Sequence, residues 1–430
     1  MTLRRICSME EWKEYKLKDF LLIPIRNGLT KPSSIRGKGV KMIGMKEIFA
    51  MDYIRSVDMD RVPVTDKEYE SSEILKYDLL FARQSLSLEG AGKCGIVVSV
   101  DEPTVFESHL IRLRIDTKKA NPFFIYYYYK SSIGKNQIKS LVQQVAAAGI
   151  RGKELIELGL KVPHIEKQNQ IANILRAIDN KIEVNRQIND NLEQQAQALF
   201  KSWFVDFEPF RDQPFVESEL GMIPEGWRVV SLDEMTSKFG TGLNPRKNFK
   251  LGEGNNYYVT IKNMGNNRVY LDDKCDKVND EAVEKINKRS KLQKGDLLFS
   301  GIGTIGRVAL ITETPTNWNT SESVFNLHPS EIVSSEFLYI LLLSDVFQQY
   351  VKLHAQGGVQ QGIRMASLKD YKMAIPEYGI MREFDNKVVP LVSLAKSNDD
   401  ETDRLASLRD TLLPRLMSGE LKVNEIENAI

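Results

Sequence analysis

Cysteine and histidine are scarce in this chain, 3 and 4 among 430 residues. Cys7, Cys94 and Cys275 are odd in number and show no CxxC spacing, which argues against a disulfide framework and fits a reducing, cytoplasmic setting. His109, His164, His328 and His354 stand apart, so neither a metal cluster nor a Ser-His-Asp arrangement is suggested. The longest apolar runs, residues 123–129 and 337–343, fall far short of the roughly 20 residues that cross a bilayer. The first residues carry no apolar stretch of the secretory kind, so no membrane partner and no export are expected. An excess of one charge is also lacking, the net value being +1. Partition changes that picture: residues 1–163 hold 27 Lys and Arg against 20 Asp and Glu, and residues 377–430 hold 7 against 11. A polyanionic partner is therefore plausible for the first segment.

What the chain does have is a long amphipathic stripe. Ile171, Ile178, Asn185, Leu192 and Leu199 recur at period seven, widened by Ile174, Leu175, Ile182, Ile188, Ala196 and Trp203. No Pro or Gly interrupts 171–203, so the pattern predicts one unbroken helix about 50 Å long. The stripe returns 213 residues later as Phe384, Leu391, Asn398, Leu405 and Leu412, with Asn at the same place. A helix polar on its outer face needs an apolar partner, and the chain supplies a second copy. Antiparallel pairing of the two, with Asn185 facing Asn398 in the seam, is the expectation. Pro414 should end or kink the second helix, and Gly419 is a plausible cap.

The rest of the two halves aligns around these helices. Trp12-Lys13 corresponds to Trp227-Arg228, Tyr77-Asp78-Leu79-Leu80-Phe81 to Gly295-Asp296-Leu297-Leu298-Phe299, and Glu107-Ser108 to Glu322-Ser323. Gly149-Ile150-Arg151 matches Gly362-Ile363-Arg364. The reading is a duplicated α+β domain, each copy mixed in structure and followed by a long helix: 1–163, 164–206, 207–376 and 377–430.

Candidate catalytic motifs fall away. Gly301-Ile302-Gly303-Thr304-Ile305-Gly306 has the form G-x-G-x-x-G, but a strand-like run follows it where a dinucleotide site needs a helix. A tight hairpin is expected instead. Asn121-Pro122-Phe123-Phe124 is close to the Asn-Pro-Pro-aromatic element of adenine methyltransferases, yet it lacks the second Pro and reads as a helix start. What remains is a binding inventory in the loops of both halves. The first half offers Arg36, Lys38, Lys41, Arg83, Gln84, Lys93, Arg151 and Lys153. The second offers Asn244, Arg246, Lys247, Lys250, Lys262, Asn263, Arg268, Arg307, Gln360, Gln361 and Arg364. Arg and Lys bond guanine edges or phosphates, and Asn or Gln bond adenine edges. Each alone is more often a solvated surface group; the inference rests on recurrence at corresponding loops.

Five stretches then carry a resemblance: Gln168–Ile171 after Pro163, the aromatic run 200–209 with Trp203, Phe204 and Phe207, Gly221-Met222-Ile223-Pro224-Glu225-Gly226-Trp227, Lys294-Gly295-Asp296 with Gly306-Arg307, and Leu412-Leu413-Pro414-Arg415-Leu416-Met417-Ser418-Gly419. Together they resemble the specificity subunit of type I restriction–modification systems, over essentially the whole chain. Type IIB specificity subunits share the architecture. The resemblance implies two target-recognition domains, each reading half of a split double-stranded DNA site, with the paired helices as a spacer. It also implies docking of two methyltransferase subunits and, through them, of restriction subunits with translocase activity. S-adenosylmethionine, ATP and Mg²⁺ would then belong to those partners and none to this non-catalytic chain. Trp203, Phe204 and Phe207 either cap the helix core or dock a subunit. The first half departs from the second in having Tyr77 where the second has Gly295, and in a longer loop after Phe81.

Overall fold

The computed structural model describes residues 12–88, 90–144, 148–358 and 361–423. They fall into two compact units: one lies within Met1–Glu183 and Glu401–Ile430, the other is Val184–Asp400. The division passes through both long helices, Ile165–Phe204 and Tyr378–Ser418, so each unit holds one mixed domain and a stretch of each helix.

In the first unit a five-stranded sheet is centred on Leu79–Ala82, flanked antiparallel by Leu110–Leu113 and Cys94–Val97. Leu79 and Phe81 enter one core, and Leu80 and Ala82 enter another, as alternation along a strand dictates. Burial on both faces explains why this strand reads as a continuous apolar run. Helix Pro122–Lys130 is buried nearly all round and starts at Asn121, whose side chain accepts from the amides of Phe123 and Phe124. The second unit repeats the plan: Leu297–Ser300 pairs antiparallel with Val308–Leu310 and Val324–Pro329, and helix Ser335–Leu343 stands where Pro122–Lys130 does. The G-x-G-x-x-G segment is the hairpin between the first two of these strands; Gly303 and Gly306 adopt φ of +82° and +89°, and no helix follows.

Each domain begins and ends on paired strands. Lys13–Lys16 lies antiparallel to Gly159–Val162, and Arg228–Ser231 lies antiparallel to Lys372–Ile375.

The helices run antiparallel within each unit. In the first, Ile171, Ala172 and Leu175 share a core with Leu413, Leu416 and Met417. In the second, Ala196, Phe200, Trp203 and Phe204 share one with Met381, Phe384, Val388 and Val392. Leu199 and Leu391 flank that core, while Leu405 and Leu412 are half-buried. Two expectations need correction, and a third, the meeting of Asn185 and Asn398, gains a member. Ile188 is 38% exposed, because the second line of the stripe passes through Asn189 rather than Ile188. The second helix continues through Pro414 to Ser418, since burial of Leu413, Leu416 and Met417 outweighs one lost backbone bond; Gly419, at φ +77°, closes it. Asn185 is fully buried, but its amide reaches the backbone oxygen of Asn398 at 3.5 Å, while the Asn398 amide donates to Asn189 Oδ1 at 2.9 Å. The polar layer therefore holds three asparagines, not two. Replacing Asn185 and Asn398 with Leu should raise unfolding stability by about 1–2 kcal/mol in urea titrations, at the expense of a unique register. Unchanged stability would show that the layer costs nothing.

Candidate nucleic-acid interface

A small three-segment tip recurs in both domains, built on short strands in the first and on isolated bridges in the second. In the first, Gln84–Ser85 pairs with Ala148–Gly149, which pairs with Gln143–Gln144. The amide of Ile150 donates to Arg83 O at 2.9 Å, so the Arg83-Gln84 and Arg151 segments lie side by side. Gln84 and Arg151 are exposed, and Arg83 Nε is buried without a hydrogen-bond partner among the described residues. In the second domain Ile302 bridges to Gly362, which bridges to Gln356. Gly303 N donates to Gln361 O at 2.7 Å and Ile363 N to Gly301 O at 2.8 Å. Gln361 and Arg364 are exposed there; Gln360 lies outside the described residues.

Other inventory residues are exposed on separate loops. Lys38 follows Gly37, Lys153 is on the turn of helix Gly152–Leu155, Lys262 is on the 3₁₀ turn Ile261–Asn263, and Arg246 and Lys247 are on the loop after Thr241. Lys250 is also open to solvent, 3.9 Å from Glu253. Arg36 is tied to Asp60 and to the backbone oxygen of Lys31. Lys93 donates to Phe49 O at 3.0 Å and lies 3.6 Å from Asp52, whose carboxyl Lys130 and Lys93 hold below its usual range against the opposing effect of burial.

Five inventory residues are spent inside the fold. Lys41 is only 7% exposed and pairs with Glu102 at 2.9 Å. Asn263 is buried and caps its own turn through the amide of Thr260. Arg307 clamps that turn by donating to the oxygens of Ile261 and Met264. Asn244 donates to Glu322, which also accepts from Tyr258. Arg268 lies 3.7 Å from Asp399 on the second helix. Beside it Lys396 donates to Asn267 O at 3.0 Å, and burial pushes its ammonium below the ordinary lysine range.

The roles of two matching aspartates escaped the sequence reading. Asp78 and Asp296 occupy matching turns and accept from the amides of Leu75 and Gln293. Arg114 forks onto Asp78, while His328 Nδ1 lies 2.6 Å from Asp296, whose carboxyl burial raises. Trp203 and Phe204 are buried in the second core, and Phe207, at φ +51°, stacks edge-on to Trp227 at 5.3 Å.

Comparison with known proteins bears on this arrangement. The description "Type I restriction modification DNA specificity domain" matches residues 9–194 and 224–383. The type I restriction enzyme MjaIX specificity subunit of Methanocaldococcus jannaschii is 24% identical over 423 residues, covering 97% of this chain and 95% of the relative. The HindI specificity subunit of Haemophilus influenzae is 29% identical over 325 residues, covering 61% and 69%. The crystal structure of the type I restriction–modification S subunit from M. genitalium superposes with a TM-score of 0.56 at 16% identity, over 96% of this chain and 97% of that one. With two matched regions on a duplicated fold, this chain belongs to the type I restriction–modification DNA specificity family.

Proposed function

We propose that the chain reads an asymmetric, bipartite double-stranded DNA site, one half through each recognition domain, without catalysing a reaction itself. The observation that supports this most directly is the repeated tip, which gathers Arg83, Gln84 and Arg151 in one domain and Gln361 and Arg364 in the other. Arginine and glutamine are the side chains that read guanine and adenine edges bidentately, and the tips leave Gln84, Arg151, Gln361 and Arg364 exposed. The tips differ in sequence, so the two half-sites should differ too. Chemistry would be supplied by partners: two methyltransferase subunits carrying S-adenosylmethionine, and restriction–translocase subunits, joined through them, using ATP and Mg²⁺.

The test is co-expression with the cognate methyltransferase subunit and genome-wide mapping of methylated adenines. Exchange of residues 1–163 for another recognition domain should replace one half of a split motif and leave the other half unchanged. Each wrong base pair is expected to cost about 1–3 kcal/mol, so the old half-site should become unmethylated rather than merely slow. Methylation that ignores the exchange would refute the reading.

A further inference from the structure

A residue in a disfavoured backbone region draws attention to a second site. Tyr77 adopts φ +76°, where the duplicated domain places Gly295 at φ +90°. The two turns are otherwise alike: Tyr77 N donates to Val97 O and Gly295 N to Ile311 O, at 2.7 and 2.8 Å. Glycine occupies this region freely and tyrosine does not. The backbone therefore gives no reason for tyrosine, and the reason must lie in its side chain.

That side chain lines a cavity of about 150 Å³ together with Tyr53, Arg55, Lys76, Phe123 and Arg176. The walls are aromatic, with Tyr77 and Tyr53 set edge-on to Phe123 at 5.5 and 6.0 Å. The polar lining is cationic. Arg55 is neutralised by Glu183, and the nearby Asp179 is occupied by Arg409, Tyr53 and Tyr127. Arg176 is different: its guanidinium lies over the Phe123 ring at 3.9 Å, half-buried, with no hydrogen bond or ion pair among the described residues. Lys76 likewise has no ion pair among them, and its ammonium sits 5.1 Å from the Tyr77 ring. Asn180, one turn beyond Arg176 on the first long helix, adds an amide at the rim.

We infer that this cavity is a receptor for a single oxyanion group, held by Arg176 and Lys76 over aromatic walls that Tyr77 completes. Two cations so placed suit one carboxylate or phosphate group. A guanidinium stacked on an aromatic face keeps its edge donors free for bidentate bonds to such a group. The oxyanion is either a free ion or the acidic side chain of a protein partner. The inference does not rest on the DNA-reading role, because its first test uses neither DNA nor a partner.

The full chain is titrated with inorganic phosphate against chloride at constant ionic strength, and the melting temperature is followed. A saturable rise is expected. Arg176→Gln should abolish the saturable part and Lys76→Gln, at an exposed position, should weaken it several-fold; Tyr77→Gly, which frees the backbone, should also weaken it. An equal response from the parent chain and Arg176→Gln would reduce the effect to general salting-out and overturn the inference. A second arm adds the cognate methyltransferase subunit. If a partner carboxylate fills the cavity, phosphate competes with that subunit and Arg176→Gln lowers its affinity about tenfold. If a free ion fills it, affinity is unchanged and the phosphate shift persists in the complex.

Discussion

Phe384→Ala should destabilise the second unit by about 3–5 kcal/mol, read as the midpoint shift of its transition in urea. Phe384 is fully buried, and four aromatic rings surround it: Phe204 at 4.8 Å, Trp203 at 5.7 Å, Phe337 at 5.9 Å and Phe200 at 6.4 Å. Three of these come from the first long helix and one from the domain helix Ser335–Leu343, so a single side chain joins three elements. Truncation removes apolar burial and leaves a cavity that rigid rings cannot collapse into. It also deletes the edge-to-face pairs, each worth about 0.5–1.5 kcal/mol beyond area. Phe384→Leu should cost less than half as much. Similar losses for the two variants would mean that the cluster repacks, contrary to this account.

Arg409→Ala should cost the first unit about 2–4 kcal/mol. Arg409 donates to Asp179 Oδ1 at 2.9 Å, while Asp179 Oδ2 accepts from the hydroxyls of Tyr127 and Tyr53 at 2.7 and 2.9 Å. Burial and the neighbouring carboxylate push both phenols well above the ordinary tyrosine range, so they remain hydroxyl donors at any working pH. Asp179 is largely buried, and without the guanidinium its charge would be left with two neutral donors alone. The expectation is checked by a double-mutant cycle: Asp179→Asn combined with Arg409→Ala should lose clearly less than the sum of the single changes. Additive losses would show that the pair is not coupled.

The helices were legible because period seven is a global signal that local polar choices do not obscure. Where the reading failed, a single position was at issue. Ile188 looked like a stripe residue by type, whereas the line of 175, 182 and 196 leads to Asn189. Pro414 looked like a stop by type, whereas the apolar residues around it hold the last turn in the core. The duplicated strands were legible for the same reason as the helices, since Leu79–Phe81 and Leu297–Phe299 are uninterrupted apolar runs.

The candidate site was far less legible. A lysine in a loop carries no mark of whether it faces solvent or a buried carboxylate, and Lys41 and Lys38 look alike in sequence while Glu102 claims only one. Arg307 and Arg364 differ in the same way: one is bonded to two backbone oxygens and one is open. The signal that could have separated them is pairing across the duplication, as with Arg114 and His328 on their aspartates. The contrast of Tyr77 with Gly295 was visible from the start, but its meaning needed a backbone angle.

The paired strands at the ends of each domain have a consequence for chain length. Lys13 faces Val162 and Arg228 faces Ile375, so the two ends of each domain meet at neighbouring points of one ribbon. Such a ribbon closes a loop, and the entropy of closing a loop grows only with the logarithm of its length. The interior of each domain can therefore lengthen, shorten or be replaced while the ribbon that closes it keeps its geometry.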